Sequence, residues 1–168
     1  MKNLFATFFV LVFLVVFSQL AKANGPCSDS QYRQFDFWIG NWQVTSANGT
    51  VAGKNTITSE YQDCMLIEKY SVQDAPFGQS INAYDRVSGL WHQTWVDKNG
   101  NVLLLSGGIE DGNMVLSGSG KDADGKPIIH RIIWRPNNDG TVVQHWQFKH
   151  DSEVEWETLF KGTYSKIK

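Results

Sequence analysis

The residues best suited to chemistry sit in two short runs, Asn82-x-Tyr84 and Trp91-x-Gln93-x-Trp95. Each has a period of two, so its members share one face of a β-strand. Broad aromatic surfaces interleaved with amides suit a small-molecule pocket: apolar walls give contact area and a few polar groups fix orientation. The four histidines, His92, His130, His145 and His150, offer a second possibility. None is paired as H-x-x-x-H or H-x-H, so no metal site and no cofactor is expected. A lone axial ligand to haem is the alternative, with His130 and His145 as candidates. Among the carboxylates, Glu68 lies between Leu66 and Tyr70 and becomes a candidate acid or base only if it faces inward. Glu153, Glu155 and Glu157 alternate with Val154 and Trp156 and share one solvated strand face. There is no G-x-S-x-G, P-loop or dinucleotide fingerprint, and no catalytic residue is assigned. Small-molecule binding is the leading expectation. An enzyme, a hydrolase or isomerase using Glu68, Arg131 or a His, is one alternative. A structural or interaction module of the cell envelope, with its interior plugged, is another.

The elements that must position these residues are legible in the turn signals. Asn48-Gly49, Ser88-Gly89, Asn99-Gly100, Asp111-Gly112, Asp124-Gly125 and Asp139-Gly140 are hairpin dipeptides, because Gly, Asn and Asp tolerate positive φ. Between them lie segments rich in Val, Ile, Thr, Trp and Tyr. The predicted strands are 41–47, 50–61, 64–72, 79–86, 90–97, 101–109, 113–121, 127–135, 141–149 and 154–165. Segment 29–39 is the one helical candidate, a turn or two. The fold class is all-β: an antiparallel up-and-down β-barrel of about ten strands with a short N-terminal helical turn. Closure removes sheet edges, and a barrel this size is filled by side chains or holds one small ligand.

Hairpin registers divide the strands into faces. A four-residue loop, Arg86–Gly89, sets Tyr84 opposite Trp91 and Asn82 opposite Gln93. A two-residue turn at Asn99-Gly100 sets Trp95 opposite Leu104 and Gln93 opposite Ser106. The Asp111-Gly112 turn then sets Ser106 opposite Ser117. This face, with Asn82, Tyr84, Trp91, Gln93, Trp95, Leu104, Ser106 and Ser117, is expected to point inward. Beyond position 120 two assignments stay open. Two-residue turns place His130, Trp134 and His145 on the inner face, whereas one bulge exchanges them for Arg131, Gln144 and Trp146.

The segment Phe35-Asp36-Phe37-Trp38-Ile39-Gly40-Asn41-Trp42 carries Gly40-x-Trp42 into the first strand. Gly40 permits a close turn, and Trp42 is expected to plug one barrel end with Lys161 or Lys166 stacked on its ring. This stretch resembles the lipocalin/calycin signature. With Asn82-x-Tyr84-Asp85, Trp91-x-Gln93-x-Trp95-Val96-Asp97, Arg131-x-x-Trp134 and Gln144-x-Trp146, the chain resembles an uncharacterised bacterial family of lipocalin/calycin-like proteins, a domain of unknown function. The resemblance spans nearly all of the chain after residue 23. It implies a calycin-like barrel, brings no established activity, and favours Arg131, Gln144 and Trp146 as pocket residues. An inward Arg would suit a carboxylate or phosphate. Unlike true lipocalins, the sequence has no helix after its last strand and has ten strands rather than eight. That count is closer to nitrobindin-type haem barrels, but no residue maps onto their haem ligand.

Composition sets the compartment and excludes some partners. Met1–Ala23 has a basic start at Lys2, an apolar run from Phe5 to Phe17 and the small-residue pattern Ala21-Lys22-Ala23, the layout of a cleaved signal peptide. Cleavage leaves 24–168 as a single barrel domain that keeps all seven Trp but only half of the ten Phe. The protein is expected to be exported, periplasmic or secreted, with no membrane anchor after cleavage. A net charge of −2, more negative once Lys2 and Lys22 are removed, gives no reason to bind nucleic acid. The two cysteines, Cys27 and Cys64, are expected to form a disulfide in that compartment. The expected partner is a small, partly apolar ligand.

Overall fold

The computed structural model describes residues 25–167, and the signal segment expected at 1–23 lies outside them. Two 3-10 turns, Ser30–Arg33 and Asp36–Trp38, precede ten strands. The strands are β1 (Gly40–Ser46), β2 (Val51–Glu60), β3 (Met65–Val72), β4 (Ala75–Asp85), β5 (Leu90–Asp97), β6 (Val102–Glu110), β7 (Asn113–Lys121), β8 (Pro127–Pro136), β9 (Val142–His150) and β10 (Glu157–Lys166). Every neighbouring pair is antiparallel, and β1 pairs with β10 to close a calycin-like barrel.

Two strand starts differ from expectation. β4 begins at Ala75 because Gln73 and Asp74 make a tight turn with positive φ and no glycine, so the usual signal is missing. β10 begins at Glu157; His150–Glu153 form a turn instead, with Glu153 N–H donating to the His150 carbonyl.

The registers explain which residues enter the barrel. At Asp97–Asn101, Asp122–Lys126 and Asn137–Thr141 the first residue donates its N–H to the carbonyl of the last. Each is a three-residue loop, with Gly100, Gly125 and Gly140 near φ +80°. The loop is one residue longer than a two-residue turn, and each extra residue flips the following strand. The first flip corrects β6: Trp95 pairs with Leu103 and Gln93 with Leu105, while Leu104 is 61% exposed. Ser106 does pair with Ser117, but both lie on the outer face, and Leu116 and Met114 are buried inside. The second flip cancels the first, so β8 turns His130, Ile132 and Trp134 inward and Arg131 outward. The third flips β9, bringing Gln144 and Trp146 inside and sending His145 out. Each strand thus follows a different one of the two assignments left open by the sequence.

One end of the barrel is filled. Phe35, between the two 3-10 turns, and Trp38, at the end of the second, are fully buried among Trp42, Trp91, Trp134 and Tyr164. Phe35 stacks on Trp38 at 4.9 Å and meets Trp134 edge-on at 5.2 Å. Trp42 Nε1 donates to the Trp38 carbonyl at 2.8 Å, and Lys166 Nζ lies 5.2 Å from the Trp42 ring. Lys161 instead pairs across from the outward His145. Gly40 takes φ +144°, a region open mainly to glycine, as the chain swings from the plug into β1. The Cys27–Cys64 disulfide ties this N-terminal arm to the β2–β3 loop. Arg33 reinforces the tie through hydrogen bonds to the Asp63 and Cys27 carbonyls.

Candidate functional site

Above the plug, a layer of polar side chains crosses the barrel. β3 presents Leu66, Glu68 and Tyr70 to the interior by simple alternation. Glu68 is 4% exposed, so the condition for its candidacy is met. Asn55 Nδ2 donates to Glu68 Oε1 at 2.7 Å, and the Ser80 hydroxyl donates to Oε2 at 2.5 Å. Behind Ser80, Asn82 Nδ2 donates to Ser80 Oγ at 2.9 Å, and Gln93 Nε2 donates to Asn82 Oδ1 at 2.8 Å. The hydroxyl accepts from Asn82 and so turns its own proton toward Glu68. The donors of this chain therefore converge on the carboxylate. Across the barrel, the Tyr164 hydroxyl donates to Gln144 Oε1 at 2.6 Å.

A cavity of about 210 Å³ lies against this layer. Its polar wall is Glu68, Gln93, Gln144 and Tyr164. Its aromatic wall is Tyr70, Phe77, Trp95, Trp146 and Phe160, all partly exposed at the end away from the plug. Leu103 and Ile132 complete it. Close backbone approaches make room for the rings. A Cβ on Gly78 would overlap Trp95, and one on Gly162 would meet the Phe160 ring at 2.7 Å. Trp146 is held by His130, whose Nδ1 accepts the indole N–H at 3.2 Å.

Burial dominates the electrostatics. It pushes the Glu68 carboxyl up to about 7, against the lowering effect of the Ser80 and Asn55 hydrogen bonds. Burial, and then the Glu68 charge, raise Tyr70 and hold Tyr164 well above the ordinary phenol value. Burial lowers His130. Among the described residues, the cavity lining includes no Lys, Arg or His, so an ionised Glu68 has no counter-charge from them within the cavity wall.

The sequence-predicted pocket residues separate into three groups. Gln93, Trp95, Gln144 and Trp146 line the cavity together. Asn82, Tyr84 and Trp91 face inward without lining it. Asn82 stands in the hydrogen-bond chain behind Glu68. Tyr84 packs edge-on against Tyr32 at 5.1 Å, and Trp91 Nε1 donates to the Gln31 carbonyl and to Gln34 Oε1, both at 3.2 Å. The last two serve the plug. Arg131 is the correction: it lies outside, donating to Gln147 Oε1 at 2.9 Å and stacking 3.9 Å from the Trp156 ring. It carries no charge into the cavity, because the two register flips before β8 cancel. Of the haem candidates, His130 faces inward behind Trp146, and His145 bonds Thr158 at 2.8 Å outside. No group of three or more metal-ligating side chains occurs among the described residues.

Tyr70, Phe77, Phe160 and Tyr164 are lining residues that the face assignment missed. The alternation Leu66-x-Glu68-x-Tyr70 was a usable signal, but the glycine-free turn at Gln73-Asp74 hid the register linking β3 to β4. Phe160 was concealed by a bulge between Thr158 and Phe160.

No protein-family model matches the chain, and no curated protein matches it. Among the described residues, no helix is long and apolar enough to cross a membrane.

Proposed function

We propose that this is an exported, lipocalin-like protein that holds a small, partly apolar molecule in its barrel. The observation that carries this reading is the cavity: aromatic on one wall and polar on the other, above a sealed floor. Walls of this kind give contact area, while Glu68, Gln93 and Gln144 give orientation. A fully plugged interaction module would have no use for space at this level. Export is supported by the disulfide and by the basic-apolar-small layout of Met1–Ala23. Native mass spectrometry of protein purified from its host tests the reading by revealing a retained small molecule. Trp fluorescence is the second test: ligand should change the emission, and Trp95→Phe and Trp146→Phe should remove most of the change. A ligand signal untouched by both substitutions would move the site elsewhere.

One observation favours a second reading. A buried carboxylate facing a cavity, with its proton affinity moved to about 7, is suited to proton transfer. An isomerase using Glu68 as acid and base would lose its turnover in Glu68→Gln while retaining ligand affinity.

A further inference from the structure

We infer that the cavity selects a small organic cation, an ammonium group on a compact apolar body, with Glu68 as its counter-ion and the aromatic wall as its cage. This rests on the ligand-binding reading and names the ligand class for that site.

Three observations carry it. First, the charge is one-sided. Among the described residues, Glu68 is the lone carboxylate lining the cavity, and no cationic side chain joins it there. Second, the hydrogen bonds to the carboxylate favour its ionised form against the burial that raises it, so a cation beside it would tip it to the charged state. Asn55 donates to one oxygen and Ser80 to the other, and the chain from Gln93 through Asn82 fixes the direction of the Ser80 proton. An ionised carboxylate has about four lone-pair positions, so each oxygen keeps capacity for a ligand N–H. Third, the remaining wall is made of ring faces and edges. Tyr70, Phe77, Trp95, Trp146 and Phe160 surround the space through which a ligand reaches Glu68. The negative faces of such rings attract cations, most strongly where water is displaced. An anion would meet the same rings and an uncompensated carboxylate, and a neutral molecule would leave that charge unpaired.

The titratable groups facing Glu68 are Tyr70 on its own strand and Tyr164 from β10; β2 and β4 present the neutral Asn55 and Ser80. Both phenols are raised and stay neutral near pH 7, so Glu68 alone among these groups sets the charge there.

The test uses three probes of nearly equal size: benzylammonium, benzyl alcohol and benzoate. Binding is read by Trp emission in the purified protein. Benzylammonium is expected to bind at least about tenfold more tightly than benzyl alcohol, with benzoate weakest. Glu68→Gln should bring the cation and the alcohol together, with near-ultraviolet circular dichroism checking its fold. A measurement on the unaltered protein stands independently. Affinity for benzylammonium should rise as pH climbs through about 7 while affinity for benzyl alcohol does not rise. If the alcohol equals the cation, or benzoate binds best, the cation assignment is overturned and the cavity remains a binding site. If none of the three perturbs Trp95 or Trp146, both readings fall.

Discussion

The indole of Trp146 donates to Nδ1 of His130 at 3.2 Å, and this bond fixes a wall of the cavity from behind. It requires His130 to keep Nδ1 unprotonated, the state that burial favours by lowering its proton affinity. Acidification should therefore break the bond. The difference in emission between the wild type and Trp146→Phe should titrate below the ordinary His value of 6.5, and His130→Phe should abolish that transition. The native state takes up this proton less readily than the unfolded chain, so His130 contributes stability that is lost as pH falls below that value. A Trp146 signal that is flat in acid would break this link.

Glu68 has the opposite sign. Its folded proton affinity is raised from 4.5 to about 7, so the native state binds more protons than the unfolded state between these values. Its contribution is complete below 4.5 and is lost as pH rises through about 7, a change on the order of 3 kcal/mol. Denaturant titrations from acid to neutral pH should show this slope most clearly in His130→Phe, where His145 alone of the two lowered histidines still offsets it. Adding Glu68→Gln should flatten it.

The disulfide joins residues 37 apart and holds the plug arm to the barrel. Replacing Cys27 and Cys64 by Ser should cost about 4 kcal/mol on loop-closure grounds. Chemical denaturation with and without reductant measures this, and an unchanged midpoint would mean that Arg33 and the aromatic plug suffice.

Gly78→Ala forces the Trp95 ring off its seat. Overpacking of this kind should cost about 1–3 kcal/mol, alter the near-ultraviolet dichroism and weaken probe binding. Retained affinity would show that Trp95 is not a working wall.

Arg131→Ala should behave differently, because the guanidinium stacks on Trp156 outside the barrel. Its stability cost should be about 1 kcal/mol or less, with ligand affinity unchanged. A large loss of affinity would contradict its position on the outer face.

The sequence by itself determined the strand count, the antiparallel meander and the Cys27–Cys64 pair. These follow from turn chemistry, β-rich segments and an even cysteine count, all of which are local or numerical signals. It also placed Asn82, Tyr84, Trp91, Gln93 and Trp95 on one inward face, because the Arg86–Gly89 loop had the expected length. Tertiary structure decided the rest through the parity of the loops. A dipeptide such as Asn99-Gly100 fits either a two-residue or a three-residue hairpin, and the difference of one residue reverses the following strand. That reversal put Leu103 and Leu105 inside in place of Leu104 and Ser106, kept Arg131 out, and brought Gln144 and Trp146 in. Closure of β1 onto β10 set Tyr164 within reach of Asn55, and the register of β3 with β4 set Ser80 against Glu68. The carboxylate gains its character from neighbours on other strands, so only the assembled barrel gives Glu68 its partners and its charge.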